Sequence, residues 1–354
     1  MSFRALTSPA AGAAATVLLL VLLVLAGATI SSPSSESDRP RATAAPAKPE
    51  AVAAPSRMSQ VPASLGKRKS LGVLTNGCRY SERGIPQCGA LLGAAYGSNT
   101  DPTDWERSMG HGLGVHRTYY DWNEVREAVA TARLDLRAGR VPWISFKPPF
   151  YWYEMAEGRG DVWARHLAAQ LATLNGPVWV AFHHEPEGDG DVGNWTAMQE
   201  RLAPIVRAEA PNVAYSVILT GWNQFYGSEE YSLKALWPDT KIDLVGFDVY
   251  NKYGVEEAGR TSTERTRFKH HYFAKIQKFA EQHDVAWGLA ETGYTDRSAL
   301  VEPKFVQHLY NSVRRHGGVA VSYFNTTVNS VAPWRLSGAK EQQFAAQLRS
   351  TPTL

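Results

Sequence analysis

Two glutamates stand where chemistry is expected. Glu185 follows the apolar run Val178 to Phe182 and the pair His183-His184; Glu291 closes the run Trp287-Gly288-Leu289-Ala290. A carboxylate at the end of a buried strand is costly unless it is solvated, paired or used. Two of them facing each other across one cleft suit glycosidic cleavage, with one protonating the leaving oxygen while the other attacks the anomeric carbon. A separation of about 5 to 5.5 Å would mean retention of configuration. For either glutamate alone, an N-cap or a rim salt bridge is the better account; the pair at matched strand ends reverses that and favours catalysis.

The elements that must position these groups read as alternating strands and helices. Strand candidates are residues 90–96, 113–120, 143–147, 178–183, 213–220, 242–249, 286–290 and 319–324. Between them apolar residues recur every three or four positions, as in Trp163, Leu167, Leu171 and Leu174, or Phe305, Leu309 and Val313. Alternation of this kind implies a parallel sheet, and eight repeats suit a closed (β/α)8 TIM barrel of about 250 residues. An open doubly wound sheet is the alternative, but Gly93-Ala94-Ala95-Tyr96-Gly97 after the first strand does not make the phosphate-binding GxGxxG loop.

In a barrel, polar residues at strand C-termini converge on one face. They include Arg117, Tyr119, Tyr120 and Asp121 on the second strand, Lys147 on the third, and Asp248, Tyr250 and Asn251 on the sixth. Arg117 could hold Glu291 ionised, or it could pair with Asp121 or Asp248. Trp222, Trp152, Tyr151 and Trp334 are candidates to stack on sugar rings, with ordinary packing under loops as the rival for each. His183, His184 and Glu187 lack HExxH spacing, and adjacent histidines on a strand point to opposite faces, so no metal is expected.

With this order of strand ends, the chain resembles family 26 glycoside hydrolases, a clan A family that includes β-mannanases. The likeness rests on His184-Glu185, on Gly246-Phe247-Asp248-Val249-Tyr250-Asn251 and on Ala290-Glu291-Thr292-Gly293, and spans roughly residues 88–335. The resemblance implies Glu185 as general acid/base, Glu291 as nucleophile, Tyr250 as hydrogen-bond partner of the nucleophile and His184 near the sugar C2 hydroxyl. The mannanases follow the acid/base with Met-Asn-Gly and an aromatic cluster, whereas this chain has Pro186-Glu187-Gly188-Asp189-Gly190. The polysaccharide and the aglycone-side subsites are therefore open.

Composition narrows the classes further. The chain has 354 residues, 44% hydrophobic and 11% aromatic, enough for one barrel-sized domain and an extension. Its formal charge of +3 comes from 37 Lys/Arg against 34 Asp/Glu, but residues 1–70 hold eight against three, leaving 29 against 31 in residues 71–354. The latter region lacks the overall basic footprint of a nucleic-acid binder. Residues 1–30 contain a long apolar run ending in Ala26-Gly27-Ala28, which fits either a cleaved signal peptide or an uncleaved membrane anchor. Residues 31–70 are rich in Pro, Ala and Ser without apolar periodicity, which predicts a disordered linker to a catalytic domain over 71–354. In such an extracytoplasmic setting Cys78 and Cys88, ten positions apart, are expected to pair as a disulfide rather than stay free thiols. The expectation is a secreted or surface-anchored, monomeric, retaining endo-β-glycanase acting on polysaccharide without cofactor. A tethered carbohydrate-binding barrel without turnover is the alternative.

Overall fold

The computed structural model describes residues 70–354. The signal or anchor segment expected over 1–30 and the linker expected over 31–70 lie outside the described residues, except for Ser70. Ser70 begins a hairpin, Ser70–Val73 paired antiparallel with Arg79–Ser81. Among the described residues no helix is long and apolar enough to cross a membrane.

Eight parallel strands close into a barrel: β1 (Leu91–Tyr96), β2 (Val115–Tyr120), β3 (Val141–Phe146), β4 (Val178–Phe182), β5 (Val213–Leu219), β6 (Leu244–Asp248), β7 (Ala286–Glu291) and β8 (Ala320–Asn325). Ring closure is made by β8 on β1, with Ala320 opposite Leu91 and Asn325 opposite Tyr96. Each expected strand is present. The second and sixth begin two residues later than the apolar runs suggest, and the third begins two earlier, at Val141.

The strands are followed in turn by α1 (Thr103–Met109), α2 (Val125–Arg137), α3 (Asp161–Ala172), α4 (Val192–Glu209), the single turn α5 (Leu233–Leu236), α6 (Ala274–Gln282), α7 (Phe305–Arg315) and α8 (Gly338–Leu348). Their apolar stripes pack on the outward residues of the strands to form the larger core, which includes Leu167, Leu171, Met198, Leu202, Leu309 and Val313. This is the outer layer of a (β/α)8 fold.

A second core fills the barrel itself, and its fit depends on size alternation. Trp143 and Trp179 meet edge to face at 5.2 Å between ring centroids. Gly246 faces them from β6: a Cβ there would lie 2.8 Å from Ile218 and from Ala290 and 2.9 Å from the Trp143 ring. Only glycine leaves room for the indole, because interiors are packed at crystal density. Leu74 and Ile85 from the N-terminal hairpin join this inner cluster and close the end of the barrel away from the strand C-termini.

Cys78 and Cys88 are bonded, with their Cα atoms 5.5 Å apart, and staple the loop that carries Ile85. Closing a loop of this length stabilises by about 2–3 kcal/mol through the unfolded chain. Reduction, or the Cys78→Ser/Cys88→Ser pair, should lower the melting temperature by several degrees in a scan followed by circular dichroism. An unchanged melt would mean that the hairpin is held by packing alone.

Candidate active site

β2 carries its alternate residues Val115, Arg117 and Tyr119 into the barrel, the period-2 consequence of an extended chain. Arg117 is fully buried. Its Nη1 donates to the carbonyls of Thr118 at 3.3 Å and Trp143 at 3.4 Å, and its guanidinium carbon stands 4.4 Å from the centre of the Tyr119 ring. Nη2 lies 4.0 Å from Oε1 of Glu291. The structure thus pairs Arg117 with the β7 carboxylate, not with Asp121 or Asp248.

Glu291 is held from two sides. The Tyr119 hydroxyl donates to Oε1 at 2.7 Å and the Tyr250 hydroxyl donates to Oε2 at 2.5 Å. Burial first, and then the charge of Glu291, holds both phenols well above their ordinary range, so they remain protonated donors. Tyr250 is fixed in turn by Trp334, whose ring stacks on it at 4.9 Å. Trp334 comes from the loop after β8, which is tied down by Tyr323 donating to the Trp334 carbonyl at 2.7 Å and Leu336 donating to Asn325 Oδ1 at 2.8 Å.

Glu185 is presented by a strained turn. β4 ends at Phe182, and both His183 (φ 49°) and Glu185 (φ 51°) then adopt the left-handed conformation. Non-glycine residues there cost on the order of 1–3 kcal/mol each and persist only where surrounding contacts over-determine them. Those contacts come largely from α4, whose Gln199 donates to the Phe182 carbonyl and whose Trp195 donates to the His183 carbonyl, both at 2.9 Å. The Glu185 amide donates to the Ile218 carbonyl at 2.9 Å.

The turn sends the two histidines apart. His183 Nε2 lies 2.9 Å from Asp189 Oδ2, and its ring meets Trp152 edge-on at 4.7 Å. His184 enters the mouth beside Tyr119, with ring centroids 5.4 Å apart. Burial, reinforced by the nearby charge of Arg117, keeps His184 well below its ordinary value and therefore neutral. Glu187 turns back under the loop, accepting from the Thr220 amide at 3.2 Å and from the Gln224 side-chain amide.

Burial pushes the Glu185 carboxyl up to about 8, helped by the charges of Glu291 and Glu187; Arg117 and a contact with Asp248 oppose the rise. Asp248, at the end of β6, is likewise raised well above the usual range by burial and by Glu291 and Glu185, and neither of its oxygens makes a well-formed hydrogen bond. The two strand-end glutamates therefore differ in surroundings. One is clasped by donors and a cation, and the other is desolvated with negative neighbours.

The cleft at the strand C-termini has a volume of about 430 Å³ and is lined by His184, Glu185, Tyr250, Glu291, Lys147 and Trp334 among others. The remaining aromatic candidates are not in its lining. Trp152 is buried beneath the turn, where a side chain on Gly190 would touch its ring, so it supports the loop instead of meeting a ligand. Trp222 is 56% exposed on the rim and Tyr151 is 75% exposed, stacked against Tyr153. Sequence reasoning does not mark Tyr119 as a partner of Glu291. The signal is nonetheless there, since Tyr119 lies two residues from Arg117 on one strand and so shares its face.

No protein-family model matches this sequence, and no curated protein matches it. Solved structures do. A Cellulomonas fimi endo-β-1,4-mannanase double mutant is similar at 14% identity and a TM-score of 0.53, over 73% of this chain and 70% of that one. A family 26 β-mannanase from Bacteroides ovatus is 17% identical with a TM-score of 0.50, over 74% and 89%. Thermotoga maritima Cel5A, solved with mannotriose, is 11% identical with a TM-score of 0.52, over 73% and 96%. At these identities the likeness establishes the fold alone, a (β/α)8 barrel.

Because burial raises Glu185 above its unfolded value of 4.5, its proton contributes stability that is complete below that pH and is lost as pH rises through about 8. Glu185→Gln cannot ionise. It should match wild-type stability near pH 4 and exceed it by on the order of 1–4 kcal/mol at pH 9, measured by urea unfolding. Equal stability across that range would mean Glu185 ionises freely.

Proposed function

We propose that the chain is a retaining glycoside hydrolase, an endo-β-glycanase of mannanase type that cleaves polysaccharide by double displacement outside the cytoplasm. The observation that carries this reading is the asymmetry of the two strand-end carboxyls. Glu291 is gripped by Tyr119 and Tyr250 beside Arg117, while Glu185 is raised to about 8 and so protonated at neutral pH.

A nucleophile must be ionised and a general acid protonated, and environment alone can divide these states between a pair of glutamates. Glu291 attacks the anomeric carbon as Glu185 delivers its proton to the glycosidic oxygen, which leaves as the free hydroxyl of the departing sugar. The resulting glycosyl ester on Glu291 is hydrolysed by a water that gives its proton back to Glu185. His184, neutral and facing the mouth, is placed to hydrogen-bond a sugar hydroxyl. The solved neighbours named as mannanases favour β-1,4-mannan as the first substrate to try. The apolar stretch within residues 1–30 supports action at the cell surface or beyond it.

The full chain, solubilised in mild detergent, should release reducing sugar from mannan, xylan or mixed-linkage glucan, with mannan preferred. Glu185→Ala and Glu291→Ala should each lower kcat by roughly 10²–10⁴-fold or more. Proton NMR of fresh digests should show the β anomer appearing first. Binding of glycan without hydrolysis by the wild type would favour the non-catalytic alternative, and activity that survives either substitution would sink the assignment.

The pH profile provides a separate check. kcat/KM should fall as pH rises through about 8, where free Glu185 loses its proton. The charge of Glu187 is one cause of that high value, so Glu187→Gln should move the alkaline limb to lower pH while leaving the acidic limb in place.

A further inference from the structure

Positive charge is unevenly spread over the described surface. Residues 71–354 hold 29 Lys/Arg against 31 Asp/Glu, yet one groove on the barrel's outer flank is strongly basic. It lies between residues 263–271, which lead into α6, and helix α7, and has a volume of about 870 Å³. Arg265, Arg267, Lys269 and Arg315 wall it, joined by His270, His271 and His308 and offset by Glu264 and Glu302. Glu302 is already engaged, 3.3 Å from His308.

Arg265 rests over the Tyr253 ring at 5.3 Å. Among the described residues no carboxylate lies within 4.0 Å of the head groups of Arg267, Lys269 or Arg315. Four clustered Lys/Arg against two Glu leave an excess of positive charge, which raises a local potential that draws anions. The floor differs in character: Phe268, Phe305 and Leu309 are buried there, and the Ser312 hydroxyl beside them has no hydrogen-bond partner. The wall is built without a ligand, since Thr266 donates to the Tyr250 carbonyl and Tyr226 donates to the His271 carbonyl, both at 2.9 Å.

An apolar floor under a cationic rim fits a chain of rings that carry anions at intervals. We propose that this flank groove is a second binding site, separate from the mouth, for an anionic glycan bearing carboxylate or phosphate groups. Sugar rings need only narrow apolar strips for their C–H edges, and the aliphatic stems of Arg267, Lys269 and Arg315 around the nearly buried Phe268 and Phe305 supply those. Single-stranded nucleic acid would need open aromatic faces on which to stack, and Phe268 and Phe305 are only 7% and 3% exposed. Such a site would hold the protein on an acidic matrix whatever the mouth does chemically.

The test is affinity electrophoresis of the full chain in mild detergent through gels containing polygalacturonate, phosphate-bearing mannan or neutral glucomannan, with single-stranded DNA as a competitor. Retardation by one or both acidic glycans is expected, identifying the preferred anion, and should weaken between 0.05 and 0.3 M salt, about as Debye screening requires. Arg267→Glu/Lys269→Glu should weaken it at least about tenfold while circular dichroism and any hydrolysis of neutral glycan stay unchanged. Glu291→Ala should leave it intact, which separates this site from the proposed active site. The proposal is overturned if neither acidic glycan retards the protein, if the charge reversal has no effect, or if DNA binds more tightly than the glycans.

Discussion

A guanidinium with none of its surface exposed sits inside the barrel, and its neighbouring carboxylate is Glu291, 4.0 Å away. Removing either member would strand a buried charge at a cost of about 3–5 kcal/mol, so the pair constrains everything packed around it. The two phenols on Glu291 complete its solvation in place of water. The unequal treatment of Glu185 follows from the same arrangement: the shared low-dielectric mouth already holds one negative charge, and a second is disfavoured there. Asp248 obeys the same rule, raised by burial and by both glutamates.

That electrostatic arrangement depends on packing at two removes. Inside the barrel Trp143 occupies space that Gly246 leaves open, and the Trp143 carbonyl accepts from Arg117. Outside it, α4 grips the end of β4 through Trp195 and Gln199 and sustains the left-handed turn that aims His184 and Glu185 at the mouth while turning His183 away. Strain at the turn is local, and the contacts that hold it are spread over a helix of 18 residues. The segment Pro186 to Gly190 lies over Trp152 and Gln224, so its unusual sequence serves the loop's underside as well as whatever it presents to a ligand.

Charge is segregated around the barrel. The mouth gathers carboxyls about one buried cation, whereas the flank beside α7 gathers exposed cations over an apolar floor. Buried charges govern proton placement because they are poorly screened. Exposed ones are screened by solvent and respond to salt. A net charge near zero for residues 71–354 conceals both features.

Much of this was legible from residue order. Eight apolar runs separated by helix-spaced stretches specify a parallel sheet, because a strand buried on both faces must be apolar throughout and each parallel pair needs a crossover, and their number suits a closed barrel. The common direction of parallel strands likewise puts Glu185 and Glu291 at one end, since both follow or close such runs. Sequence could not decide which partner Arg117 takes, since Asp121, Asp248 and Glu291 are all strand-end acids and the choice depends on how neighbouring strands are staggered. Nor could it separate Trp334, stacked on Tyr250, from Trp152 buried beneath a loop and Trp222 exposed on the rim, for an indole suits all three surroundings. Residue types and their periods determine which groups reach the barrel's mouth; only closure of the ring decides which of them touch, because those contacts join strands far apart in the chain.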